Sequence, residues 1–102
     1  MSKPRYDWWG YVKKIMYRYP HTQRPSEASA IKKAIKETKE RCEDGDERIA
    51  LIHAMYWGKI HYNIPGAALL LPGVSEATAK RWHRDFLKAV ACNMGLLAAQ
   101  KK

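Results

Sequence analysis

An apolar stretch, a Pro-Gly break and a basic stretch follow one another in residues 63 to 86, NIPGAALLLPGVSEATAKRWHRDF. Because the Pro72-Gly73 pair interrupts helical structure, the two stretches cannot form one continuous helix. Asn63 and Ser75 each stand where a side-chain oxygen can cap the first turn of a new helix. The stretch therefore predicts two helices joined by a tight turn, the second of them basic, which is the outline of a helix-turn-helix that reads DNA.

Length and charge are those of a small basic domain. The 102 residues suffice for one modest core, so we expect a single domain over residues 1–102. The formal net charge of +9 favours polyanionic partners through counterion release, although it implies no sequence specificity. Long segments show helical spacing instead of strand-like alternation, which predicts an all-α fold of about five helices.

Three supporting helices are predicted before the helix-turn-helix, over about residues 7–58. The first begins at Trp8 and ends at Pro20, and its broad apolar stripe predicts core contacts. The second begins near Ser26 and has a lysine-rich face, which a solvated surface explains better than phosphate binding. The third follows a predicted cap at Asp46 and is strongly apolar for its length, as expected of a helix in the middle of a bundle.

The predicted helix-turn-helix covers about residues 63–90. Its first helix has two small residues that permit a close helix crossing, Ala67 and Ala68, and we expect the core to be supplied by Leu69, Leu70 and Leu71. Its second helix runs from Ser75 to about Val90. The inward side is predicted to include Ala79, Trp82, Phe86, Leu87 and Val90. The outward side is predicted to present Glu76, Ala77, Lys80, Arg81 and Arg84.

The basic residues of the second helix differ in the contacts that their chemistry favours. A guanidinium matches the two acceptors of guanine in the major groove, so Arg81 is the candidate for base recognition. Lys80 and Arg84 suit backbone contacts, where charge matters more than geometry. For His83 two interpretations stay open: donation to a phosphate, or cover for the edge of the core beside Trp82.

Catalytic, metal and membrane chemistry is not indicated. The histidines and cysteines are spaced too irregularly for a zinc site, and no phosphate-binding loop motif occurs. We therefore expect no enzyme activity, no catalytic residues, no metal and no cofactor. Cys42 and Cys92 form no CxxC pair and no secretory signal precedes them, which predicts reduced thiols in a cytoplasmic protein. The apolar runs are far shorter than the roughly 18 residues of a membrane span, so no membrane is expected.

Two segments resemble a known family of regulators. RIALIHAMYWGK (48–59) followed by GAALLLPGVSEATAKRWHRDFLKAV (66–90) resembles the region-four helix-turn-helix of sigma-70-type factors in its phage-encoded form. YDWWGYVKKIMYRYP (6–20) is similar to the start of the RinA and ArpU type regulators of late genes in phages of Gram-positive bacteria. The turn departs from the family by one extra residue, since Leu-Pro-Gly-Val stands where Leu-Gly-Val is usual, and this affects the tilt of the second helix.

The resemblance implies a transcription regulator that binds double-stranded DNA and acts with host RNA polymerase in the bacterial cytoplasm. The family's base contacts map onto Glu76, Ala77, Lys80 and Arg81. Its phosphate contacts map onto Ser75, Thr78 and Arg84. Two alternatives remain, a phage DNA-packaging recognition protein of the small terminase type and an RNA-polymerase-binding factor that does not read DNA itself. The sequence also leaves open whether the protein forms a homodimer.

Overall fold

The computed structural model describes residues 7–21 and 24–95, and all regular structure in these two ranges is helical. Helix α1 (Asp7–Arg18) continues into a short 3-10 turn (Tyr19–His21), and α2 spans Pro25–Arg41. Helix α3 (Gly45–Ile52) continues into a π-helical segment (His53–Trp57). The remaining helices are α4 (Ile64–Leu69) and α5 (Glu76–Asn93). The predicted all-α fold is confirmed.

Local chemistry accounts for the start of α4 and for both ends of α5. The Asn63 side chain accepts a hydrogen bond from the backbone N–H of Gly66 at 2.9 Å, and the Ser75 hydroxyl accepts one from that of Thr78 at 3.1 Å. Both predicted caps are thereby confirmed. Helix α5 ends where Gly95 adopts a left-handed backbone with φ +78°, which glycine tolerates at no steric cost.

The start of α3 differs from the prediction. Asp46 lies inside the helix, while Asp44 occupies the cap position and makes no side-chain cap hydrogen bond. The cause is a close helix crossing at Gly45, where an added Cβ would lie 2.7 Å from the Cα atom of Lys39. Only glycine permits this approach, and α3 begins at Gly45, two residues earlier than an Asp46 cap would imply, so the predicted Asp46 cap was wrong.

Helices α2 and α5 pack against each other in opposite directions along the core. Near one end the Asn93 side chain donates to the backbone carbonyl of Ala30 at 3.1 Å, and near the other Cys42 and Trp82 line one cavity. Helices α1 and α3 also contact α5. The largest fully buried side chains around it include Ile15, Met16, Ile31, Leu51, Ile52, Leu87 and Val90.

Side-chain contacts from the π-helical segment link α1 to α5. The N–H of Gly58 donates to the carbonyl of His53 at 3.0 Å, which widens the last turn by one residue. The indole N–H of Trp57 then donates to the backbone carbonyl of Met16 at 2.8 Å, and its ring meets the Phe86 ring edge-on at 6.3 Å. Trp57 therefore connects the buried side of α5 to the last turn of α1.

The three leucines after Ala68 do not all enter the core. Leu69 is 87% exposed and Leu70 is 52% exposed, whereas Leu71 is partly buried against the core. Helix α4 is only six residues long and buries Ala67 and Ala68 at its crossing with the neighbouring helices. Leu69 and Leu70 follow the point of closest approach, so the prediction that all three leucines supply core was wrong.

A buried carboxylate connects α1 to α2. Glu27 is 1% exposed, and its Oε2 accepts hydrogen bonds from Arg18 at 2.9 Å, Arg24 at 3.3 Å and the Tyr11 hydroxyl at 3.4 Å. An acidic residue in the first turn of a helix is ordinarily stabilised by the positive end of the helix dipole alone. The structure instead makes Glu27 the common acceptor for groups from α1 and from the residue before α2.

Replacement of this acceptor should destabilise the fold. We expect Glu27→Gln to lower the free energy of unfolding by about 1–3 kcal/mol, because the charge-assisted hydrogen bonds are lost inside the protein. Urea unfolding followed by tryptophan fluorescence measures the change. Glu40→Gln on the exposed side of α2 is the control and should stay within about 0.5 kcal/mol of the parent. Equal effects of the two substitutions would contradict a stabilising role for the Glu27 cluster.

Candidate nucleic-acid interface

The outer side of α5 is a cationic face, which we define by Lys80, Arg81, Arg84 and Lys88. All four side chains are exposed, and so is Ala77 among them. At 3.6 residues per turn the four cations fall within about 100° of arc. Glu76 and Asp85 lie at the two borders of this arc instead of within it. The face therefore presents a continuous positive surface along most of the helix.

The inner side of α5 holds the cationic face in place. Trp82, Phe86, Leu87 and Val90 are all buried, as predicted. From α3, the guanidinium of Arg48 lies 5.4 Å from the centre of the Trp82 ring, and it also pairs with Asp85 at 3.8 Å and Asp44 at 2.9 Å. Helix α5 is thus held in place both by apolar packing and by the Arg48 guanidinium, which contacts Trp82 and Asp85.

The first turn of α5 is a small polar cluster. Ser75 donates to the Thr78 hydroxyl at 3.0 Å while its own oxygen accepts from the Thr78 N–H. Lys80 lies 3.6 Å from the Glu76 carboxylate, and both side chains are more than half exposed. These contacts bring together four of the predicted site residues at one end of the cationic face.

His83 does not belong to the outer face. It is 5% exposed, and its Nε2 lies 2.6 Å from the Tyr56 hydroxyl in a buried hydrogen bond. Burial, with a smaller contribution from Lys13, lowers the pKa of His83 to about 4. Burial also raises the pKa of Tyr56, so the phenol and the imidazole are both neutral at pH 7 where they share this hydrogen bond. Of the two interpretations of His83, the structure favours a place at the core edge and corrects its inclusion among the DNA contacts.

Seven of the eight predicted site residues therefore lie at or beside the cationic face, namely Ser75, Glu76, Ala77, Thr78, Lys80, Arg81 and Arg84. Sequence reasoning missed Lys88, which is exposed one turn after Arg84. The spacing of four residues between Arg84 and Lys88 could have indicated this position, because residues i and i+4 lie on the same side of a helix. The partnership of Tyr56 with His83 had no such signal, since 27 residues separate the two.

The connection between α4 and α5 contains residues 70–75 and is longer than the usual three or four residues of a helix-turn-helix. Gly73 has φ +77° there, a left-handed conformation that a side chain would strain. Val74 returns toward the core and packs against it partly buried. The turn ends at Ser75, which caps the first turn of α5.

A second group of lysines lies on α2, which we call the α2 lysine face: Lys32, Lys33, Lys36 and Lys39. All four are exposed, on the side of α2 opposite its buried Ala30 and Ala34. Since α2 packs on α5 through its buried side, the α2 lysine face points away from α5. The two positive surfaces are therefore separate.

Comparison with known proteins gave no relative for this chain: no family model, no curated protein and no solved structure matched. Among residues 7–21 and 24–95 no three His, Cys, Asp or Glu side chains come together as metal ligands. Within the same ranges no helix combines the length and apolar character required to cross a bilayer.

Proposed function

We propose that this protein is a sequence-specific regulator of transcription that binds double-stranded DNA through α5. The observation that carries the proposal is the exposed cationic face on a helix whose opposite side is fixed in the core. Helix α5 has 18 residues, or about 27 Å of length, and the major groove of about 12 Å width admits a helix of this kind.

The side chains divide into two roles along α5. Arg81, together with Lys80, Glu76 and Ala77, reads base edges, because these residues occupy the first two turns, where a reading helix meets the groove. Ser75, Thr78 and Arg84 contact the phosphate backbone, and Lys88 extends these contacts by one turn. The Ser75 cap and the buried Trp82 hold both sets of side chains at fixed positions on the protein.

The biological setting of the proposal comes from the family resemblance of residues 6–20, 48–59 and 66–90. On this resemblance we propose that the protein is a phage-encoded regulator of late genes that acts with host RNA polymerase in the bacterial cytoplasm. The small residues Ala67 and Ala68 at the α4 crossing support this, since a helix-turn-helix needs a close approach there. The six-residue connection implies a tilt of α5 that differs from that of the shorter-turn members.

Substitution of Arg81 tests the proposed base contact. Arg81→Ala is expected to relax base preference at a single position of the site and to weaken specific binding by about 1–3 kcal/mol, because a bidentate contact to guanine is lost. Sequences selected from a random duplex pool by the parent and the variant reveal the change. The matched control, Arg41→Ala, removes an exposed arginine at the end of α2 and should leave the selected motif unaltered. An identical motif for the parent and Arg81→Ala would sink this assignment.

The same selection also determines the binding mode. A palindromic consensus, with half-sites about one helical turn apart, would indicate a dimer, and one asymmetric site would indicate a sigma-like monomer. The mass of the protein in solution, measured by light scattering, should agree with the outcome. A large ring-shaped oligomer would favour the packaging protein over the regulator.

One observation favours a second candidate function, that of a factor which binds RNA polymerase without reading DNA. Leu69 and Leu70 are exposed side by side at the α4 end, and adjacent exposed apolar side chains are typical of protein contacts. Purified bacterial RNA polymerase should then capture the parent protein but not a variant with Leu69→Ser and Leu70→Ser. Capture together with no duplex binding at physiological salt would support this candidate over the first.

A further inference from the structure

A cavity of about 380 Å³ lies where α1, the π-helical segment, α4 and α5 meet, on the side of the buried Tyr56 and His83 pair. This volume falls within the range of small-molecule sites, which are clefts of about 300–1,000 Å³. Its walls come from four separate elements. The lining residues are Lys13, Tyr17, Met55, Tyr56, Tyr62, Asn63, Ile64, Pro65, Lys80 and His83.

The walls of this cavity suit a flat ring. Three tyrosines line it, and the half-exposed Tyr17 meets the buried Tyr56 edge-on at 4.6 Å between ring centroids. Met55 and Ile64 add apolar surface that adapts to the outline of a ligand. Aromatic rings in such contacts prefer another aromatic ring in an offset or edge-on arrangement. The cavity therefore favours a planar aromatic group over a compact polar one.

The charges of the lining favour an anion. Lys13 from α1 and Lys80 from α5 both line the cavity, and its lining includes no Asp or Glu. Lys80 makes only an exposed ion pair with Glu76 at 3.6 Å, which stabilises little and leaves the ammonium able to turn inward. His83 is hydrogen-bonded to Tyr56 and is held neutral by burial, so it adds no charge to the lining. Two cations thus face an aromatic cavity without a carboxylate among them.

We propose that this cavity binds a small aromatic anion, with the ring against Tyr17 and Tyr62 and the anionic group held by Lys13 and Lys80. The anionic group is a carboxylate or a phosphate ester, since either oxyanion meets two ammonium groups in the same way. The site belongs to the protein in the absence of DNA and does not require α5 to read a sequence.

Titration of the full-length protein with defined probes, without DNA, tests the site. The probes are 4-hydroxybenzoate and indole-3-acetate for a carboxylate, and adenosine monophosphate for a phosphate. Phenol represents the aromatic ring alone, and inorganic phosphate represents the anionic group alone. Calorimetry gives the affinity, and NMR shift changes at Tyr17, Tyr62 and His83 locate the ligand. We expect at least one complete probe to bind about tenfold or more tightly than either half, because ring and anion are bound together.

Two matched pairs of variants assign the contacts. Lys13→Gln and Lys80→Gln should each weaken the probe about tenfold, since each removes one charge-assisted hydrogen bond. Lys14→Gln and Lys88→Gln, on the same helices but outside the cavity, should change the affinity less than twofold. Because Lys80 is exposed, its variant remains informative even if Lys13→Gln fails to fold. Absence of binding by all three complete probes, or equal affinity for the cavity and control variants, would overturn the proposal.

Discussion

Acidification from pH 7 to pH 4 is expected to remove about 3 kcal/mol from the free energy of unfolding through His83 alone. The pKa of its imidazole is about 4 in the folded protein, against 6.5 for an unperturbed histidine. One pKa unit corresponds to about 1.4 kcal/mol, so the 6.5 to 4 interval gives the expected total. The physical cause is burial: a proton on His83 would place a charge in the core beside Tyr56 and near Lys13.

The sign follows from the number of bound protons. Between pH 6.5 and about 4 the unfolded chain carries a proton on this histidine and the folded chain does not. The folded state therefore gains stability as the pH rises through this window. The contribution is complete above pH 6.5 and is lost on acidification to about pH 4. The nearest charged groups in the shared cavity, Lys13 and Lys80, are cations, so neither can compensate the new charge.

Urea unfolding at several values between pH 7 and pH 5 measures this effect before most carboxylates titrate. The slope should approach about 1.4 kcal/mol per pH unit for the parent. His83→Gln keeps an acceptor for the Tyr56 hydroxyl but cannot take up the proton, so its slope should be much smaller. His53→Gln, an exposed histidine, is the control and should behave as the parent does. A parent slope no steeper than that of His83→Gln would show that the histidine is not held neutral by the fold.

The parts of the fold that short-range chemistry determines could be predicted from sequence. Asn63 and Ser75 cap helices because each oxygen meets an N–H only three residues away. The inward side of α5, with Trp82 and Phe86, follows from helical periodicity alone. The same periodicity places the cationic face on the opposite side of α5. These features depend on residues within one or two turns of each other.

The parts that failed depend on contacts between distant residues. Leu69 and Leu70 are as apolar as Leu71, and only the length of α4 and the position of its crossing decide which of them is buried. The Asp46 cap failed because a backbone approach of α2 to Gly45 moved the start of α3. Glu27 and His83 are polar residues whose burial is compensated by partners from other helices, Arg18 and Tyr56. A pattern within one segment contains no information about such partners.

Neutralisation of the whole cationic face should affect DNA binding more than any single substitution. We expect the combined change of Lys80, Arg81, Arg84 and Lys88 to Gln to reduce affinity for a selected duplex roughly 100- to 1,000-fold at physiological salt, if each residue contributes about 1 kcal/mol. The dependence on salt should weaken as well. Each phosphate contact removed lowers the slope of log affinity against log salt by about 0.9. Fluorescence anisotropy at a series of salt concentrations gives both quantities.

The α2 lysine face offers a control with the same change in charge. Substitution of Lys32, Lys33, Lys36 and Lys39 by Gln removes four positive charges and lowers the formal net charge from +9 to +5, as the α5 variant does. Since this face points away from α5, the selected duplex should lose far less affinity, and its salt slope should remain close to that of the parent. Equal losses in the two variants would mean that net charge attracts DNA without a defined surface. A loss confined to the α5 variant would assign the contact to that helix, because length and total charge are matched between the two proteins.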